Sequence, residues 1–93
     1  MAKLDGLDCI ADALQGLQPK IVAQIAKKIL SLGVEPLPHD SAQLIGYTSL
    51  RRVDSGEYRI IYRHHAAEDT VEILLIGKRN DDEVYKQLRR KLK

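Results

Sequence analysis

The strongest constraint on this chain is the run Glu57-Tyr58-Arg59-Ile60-Ile61-Tyr62 together with the run that answers it, Val71-Glu72-Ile73-Leu74-Leu75-Ile76-Gly77-Lys78-Arg79. In the first, Tyr58, Ile60 and Tyr62 alternate with Arg59, Ile61 and Arg63, the period of a half-buried strand. The second is apolar on both faces from Ile73 to Ile76, as expected of a strand covered on both sides. Their β-branched and aromatic content favours a pleated surface over a helix. Arginine is the discordant element. Arg59 stands in mid-strand and Arg79 directly follows the second run. A guanidinium stays charged in a protein, so each head must reach water, an acid or an anion.

The rest of the chain supplies helices. Ala2 to Leu7 is a weak strand candidate, interrupted by Gly6. Leu7, Ile10, Ala11, Leu14 and Leu17 then recur at helical steps, with Asp8 as N-cap, until Gly16 and Pro19 break the pattern. Pro19 suits the first turn of a second helix, with Ile21, Val22, Ile25, Ala26, Ile29 and Leu30 as its buried stripe and Gly33 as a left-handed end. Residues 33–48 form a connection, pinned to the core by Leu44 and Ile45. Three strands follow, Leu50–Val53, Tyr58–His65 and Thr70–Ile76. Asp54-Ser55-Gly56 turns between the first two and residues 66–69 link the next two, so pairing is antiparallel. A last helix opens at Asn80, with Glu83 completing a capping box and Val84, Tyr85, Leu88 and Leu92 as its stripe. The predicted fold is α+β: a short N-terminal strand, a two-helix hairpin, an antiparallel sheet of three further strands and a C-terminal helix. The helices are expected on one face of the sheet, leaving the other to present cations.

Ninety-three residues, 44% hydrophobic and 30% charged, suit one soluble domain spanning 1–93. There is no apolar run of membrane-spanning length and no apolar segment of signal-peptide type near Met1, so the expected compartment is the cytoplasm. Cys9 is the only cysteine, which excludes an internal disulfide and points to a packing role. Net charge is +2, unevenly spread: residues 1–49 carry −1 and residues 50–93 carry +3, with five basic residues from Lys86 to Lys93. That asymmetry suits a polyanion or an acidic protein, and equally a solvated basic helix face.

No GxGxxG, P-loop, HExxH or CxxC motif occurs. His64 and His65 are adjacent on a strand and point to opposite faces, so they cannot share a metal. Neither a metal nor a cofactor is expected. What remains is an arginine-rich set, Arg51, Arg52, Arg59, Lys78 and Arg79, with Tyr85 near the start of the last helix. Taken singly, each arginine suits a local acid such as Asp54, Glu57, Glu72 or Asp82. Taken together, several guanidiniums around one spot suit a phosphodiester, which arginine grips through a planar fork, and the charge that builds up as phosphorus is attacked.

Leu50-Arg51-Arg52-Val53-Asp54-Ser55-Gly56-Glu57-Tyr58-Arg59-Ile60-Ile61-Tyr62, then Ile76-Gly77-Lys78-Arg79, then Glu83-Val84-Tyr85, resembles the RelE branch of the RelE/ParE toxin superfamily of bacterial type II toxin–antitoxin systems. The resemblance implies a ribosome-dependent endoribonuclease that cuts mRNA by attack of a ribose 2′-hydroxyl, without a metal. It implies that Arg59 binds phosphate and that Arg79 serves transition-state charge or the leaving group. Tyr85 would stack on a base or take the 2′-hydroxyl proton, and Arg51, Arg52 and Lys78 would add RNA contacts. The implied partners are a cognate antitoxin, the ribosome and mRNA, with operator DNA reached only through the antitoxin complex and no membrane. Leu50 and Asp54 depart from the pattern by standing where family members tend to be basic. Two other outcomes therefore stay open: a ParE-like inhibitor of DNA gyrase on the same scaffold, and a non-catalytic member that only binds an antitoxin.

Overall fold

The computed structural model describes residues 2–78 and 83–91. The expected elements form, with one addition. They are β1 (Lys3–Asp5), α1 (Leu7–Leu14), α2 (Pro19–Val34), β2 (Ala42–Leu44), β3 (Tyr47–Ser55), β4 (Tyr58–His65), β5 (Thr70–Lys78) and α3 (Glu83–Lys91). A short 3-10 turn, Ala66–Glu68, joins β4 to β5. The five strands run β1-β5-β4-β3-β2 across the sheet. β2, β3, β4 and β5 pair antiparallel, whereas β1 lies parallel to β5. The α+β architecture read from the sequence is therefore present, and the weak N-terminal strand is real.

β1 is held by more than its ladder. The Ala2 N–H donates to the Gly33 carbonyl at 2.6 Å and the Lys3 N–H to the Asp69 carbonyl at 2.8 Å. Gly6, which interrupts the strand pattern, is the residue that turns the chain into α1. It adopts a left-handed conformation (φ +85°) and packs so close to β5 that a Cβ would collide with the Ile73 carbonyl. The α1 cap is thus Gly6, and Asp8 lies in the first turn, not at the N-cap. Gly33 likewise differs from expectation. It is buried inside α2, which runs on to Val34, because its carbonyl serves β1. In the α2 stripe Leu32 is fully buried and Leu30 is 54% exposed.

The helices cover both faces of the sheet, not one. Ile25, Ile29 and Leu32 of α2 meet Val53, Ile60, Tyr62, Val71 and Ile73, with Ile10 and Leu14 of α1 packed against them. On the opposite face Val84 and Leu88 of α3 meet Leu44, Leu50, Ile61 and Leu74. An irregularity in the β4–β5 register sets how β5 divides its side chains between the two faces. Ile61 pairs with Leu75 and Tyr62 with Ile73, so Leu74 is the extra residue of a bulge. A bulge resets the alternation. Ile73 and Ile76 join the α2 side, while Leu74 and Leu75 both turn toward α3. Each large apolar side chain so buried contributes roughly 1.5–3 kcal/mol.

The chain differs from expectation most between residues 33 and 48. Leu44 is buried, but Ile45 is 99% exposed, because Leu44 and Tyr47 pair across a two-residue Ile45–Gly46 tip. The connection thus contains an edge strand and a hairpin. The β3–β4 turn is also tighter than expected: Ser55 pairs with Tyr58, leaving only Gly56 and Glu57 in the loop. Asn80, Asp81, Asp82 and Leu92, expected to cap and extend α3, lie outside the described residues. Among the described residues no helix is long and apolar enough to cross a membrane.

Candidate functional site

The cationic site is built where β3, β4 and α3 meet. Strand alternation sends Arg59 to the α3 face, because its neighbour Ile60 belongs to the α2 core. Directly across the ladder, Arg59 pairs with Gly77 on one side and Asp54 on the other. Gly77 is required for close approach. A Cβ there would stand 3.1 Å from the Cβ of Val84, so α3 would have to give by a few tenths of an ångström. Without that side chain α3 settles onto β5, and the next residue, Tyr85, reaches Arg59. The glycine of the Gly77-Lys78-Arg79 run and the Glu83-Val84-Tyr85 run are therefore two halves of one contact.

Arg59 is held from both sides. Its Nε donates to Asp54 Oδ1 at 2.9 Å and its Nη2 lies 3.5 Å from Asp54 Oδ2, while Nη1 donates to the Tyr85 hydroxyl at 2.5 Å. The Asp54 carboxylate, more than the Tyr85 hydroxyl, pushes the guanidinium pKa above its ordinary value and keeps it charged. Five N–H groups less these three bonds leave two, one on Nη1 and one on Nη2, and a guanidinium N–H is a strong donor to phosphate.

Arg59 and Tyr85 line a cleft of about 340 Å³ with residues of the β2–β3 hairpin, Arg52 on β3 and, nearer its tip, Gln43, Leu44, Ile45 and Tyr47. Of the residues singled out in the sequence, the structure thus brings Arg52, Arg59 and Tyr85 together. Arg51 is turned away: the residue after Leu50 and before Arg52 points to the other face, where its Nε and Nη2 donate to the Ser41 hydroxyl at 3.2 and 2.8 Å. Lys78 is exposed and pairs with Tyr58, on the α2 side of the sheet. Arg79 lies outside the described residues. Gln43, Ile45 and Tyr47 were not among the candidates. The signal that points to them is the hairpin itself, which is hidden because β2 is only three residues long.

Pairing with local acids occurs as well. Arg59 has Asp54, and farther along the same face Glu72 Oε1 lies 2.9 Å from His65 Nε2 and 3.7 Å from Arg63 Nη1. Among the described residues no cluster of His, Cys, Asp and Glu suits a metal ion. Cys9 donates from Sγ to the Leu74 carbonyl at 3.0 Å, and burial pushes its thiol pKa up, consistent with packing and not with nucleophilic work.

Residues 3–83 match the family described as the ParE toxin of type II toxin–antitoxin systems, parDE. The chain belongs to this family of toxins, within the RelE/ParE superfamily. No curated protein matches it. Among solved structures, the toxin is similar to the toxin–antitoxin complex RelBE2 of Mycobacterium tuberculosis. There the identity is 25% and the TM-score 0.72, over 84% of this chain and 98% of that one. It is similar also to the RelE–RelB complex of Pyrococcus horikoshii OT3, at 25% identity and a TM-score of 0.73 over 84% and 94%. The isolated RelE toxin of E. coli shares its fold at 20% identity, with a TM-score of 0.72 over the full length of both chains.

Proposed function

We propose that this toxin is a metal-independent endoribonuclease that cuts mRNA on the ribosome in the cytoplasm and is neutralised by a cognate antitoxin. The observation that carries the reading is the fixed Arg59, with one N–H left on each terminal nitrogen, lining a cleft together with Arg52 and Tyr85. Those two donors suit the non-bridging oxygens of a phosphodiester, and Arg52 adds a second charge for the dianionic centre formed during attack. In the proposed step the ribose 2′-oxygen bonds to phosphorus and the 5′-oxygen leaves. Tyr85 offers its oxygen for the 2′-hydroxyl proton or its ring for a base. Arg79, by its place after Gly77-Lys78, is the group assigned to the departing oxygen. Partnership with an antitoxin is proposed because the solved complexes from M. tuberculosis and P. horikoshii pair a RelE-type chain with RelB.

Primer extension on mRNA after induction tests this. Codon-positioned cuts are expected with the native chain, and Arg59→Ala should reduce them about 100-fold or more, the usual loss when a transition-state donor is removed. A second reading draws on Asp54, which offsets the charge of Arg59, and on the match to the ParE family. It makes the chain a DNA gyrase inhibitor. Intact mRNA together with blocked supercoiling would select that reading instead.

A further inference from the structure

We propose that the β2–β3 hairpin is the nucleobase-binding wall of the cleft, with Tyr47 as the ring on which a base next to the scissile linkage stacks. This rests on the endoribonuclease reading of the same site. The cleft is lined by two unlike sets of side chains. One is the cations Arg52 and Arg59, and the other is Tyr47 and Ile45 near the tip of the hairpin. A nucleotide has the same two halves, an anionic linkage and a flat ring with apolar faces, and base–aromatic stacking is how single-stranded RNA is commonly held. At about 340 Å³ the cleft is at the small end of ligand clefts, roughly 300–1,000 Å³.

The hairpin has features that its own folding does not require. Ile45 stands at its tip with 99% of its surface exposed, beside a cleft and not in a core. Tyr47 is anchored: it pairs with Leu44, which is buried in the α3 core, and packs partly against that core while its remaining surface lines the cleft. Between the Gln43–Arg51 and Leu44–Tyr47 pairs the register shifts, so three residues of β3 face no partner on β2. Such a bulge bends a hairpin out of the plane of its sheet. Here the hairpin lines the same cleft as Arg59. Gln43 lines the cleft as well.

The test is binding of two short RNA oligonucleotides to the whole chain, each with a 2′-deoxy residue at the reacting position to block cleavage. One carries all its bases and the other is abasic at the position flanking the linkage. The native chain should prefer the base-bearing RNA by at least about fivefold, the low end of one base–aromatic stack. Tyr47→Leu, which keeps apolar bulk, should erase that preference while Arg59→Ala weakens both RNAs alike. Ile45→Ser, at a side chain with no role in the core, should lower the preference even if Tyr47→Leu fails to fold. An unchanged preference in a folded Tyr47→Leu and in Ile45→Ser overturns the proposal, as does a native chain that fails to distinguish the two RNAs. Loss of the preference in Tyr85→Ala but not in Tyr47→Leu also overturns it. Because no cleavage is read, a chain that leaves mRNA intact defeats the nuclease reading without deciding this one.

Discussion

The face of the sheet under α1 and α2 and the face under α3 share three strands but are put to different uses. On the first, Ile25, Ile29 and Leu32 press on Val53, Ile60, Tyr62, Val71 and Ile73, and the polar groups that enter are satisfied internally. The Tyr62 hydroxyl, for example, donates to the Pro36 carbonyl at 2.6 Å. On the second, a smaller core around Leu88 stops halfway, and the rest of the face carries Arg52, Arg59 and Tyr85 and, farther along, Arg63, His65 and Glu72. A closed apolar face contributes stability, while a half-covered face leaves charged groups accessible to a partner. The difference teaches that α3 has two tasks, closing a core through Val84 and Leu88 and carrying Tyr85 to Arg59.

The largest expected effect separates these faces by what unfolds. Ile25→Ala removes a side chain from the closed face and should cost about 2–5 kcal/mol. That is a large part of the roughly 5–14 kcal/mol expected of a chain this size, so the whole sheet should melt earlier. Leu88→Ala deletes a side chain of equal size and burial from the half-covered face. Its effect should fall first on α3, whose amides lose hydrogen-exchange protection while those of β4 and β5 keep theirs. If β4 and β5 lose protection as much as α3 does, the two faces form one cooperative unit and the division of labour is wrong.

How far the sequence discloses this arrangement also differs by face. Alternation in Tyr58–Tyr62 places Ile60 and Tyr62 against the α2 core and Arg59 opposite, as the structure has it. The Val71–Ile76 run discloses a strand covered on both sides. What alternation cannot disclose is the bulge at Leu74, because a single extra residue changes the side of everything after it without changing composition. The two-sided coverage of that run already argues against helices on one face only, and the structure puts α3 opposite α2. At the site, Arg59 and Tyr85 stand out and Asp54 is one of several local acids the sequence offers; the β3–β4 register selects it, and Tyr47 enters only through the β2–β3 hairpin. Arg51 misleads because Leu50-Arg51-Arg52 puts two arginines side by side in sequence and on opposite faces in space.

A smaller effect probes the charge left on the α3 face. Asp54→Asn keeps the size of the side chain and removes the carboxylate that offsets Arg59. The pair is partly exposed, with 16% and 32% of the two side chains accessible, so the stability loss should be no more than about 1 kcal/mol. RNA binding should tighten a few-fold and become more salt-dependent, since one more cation meets the phosphate. Cleavage should fall, because a neutral amide oxygen holds Arg59 less firmly than the carboxylate does. If binding and cleavage fall together, Asp54 serves the fold and not the balance of charge in the cleft.

The smallest effect lies at an ion pair outside both cores, where Lys28 of α2 meets Asp40 at 2.6 Å in the loop before β2. The hydrogen bond from Lys28 holds the Asp40 carboxyl below the usual carboxylate range. A carboxyl lowered on folding stabilises the native state above its unfolded value of about 3.9, and that contribution is lost as pH falls through the lowered native value. Asp40 is nearly half exposed, so Asp40→Asn should cost only a few tenths of a kcal/mol at neutral pH and low salt. In urea titrations the gap between the two proteins should close as pH falls below about 4, and also as salt is raised at pH 7. A gap that persists in acid, or that exceeds 1 kcal/mol, would mean that this loop is fastened to α2 by packing and not by charge. The β2–β3 hairpin that follows it would then owe its position to the closed face rather than to Leu44 and the α3 core.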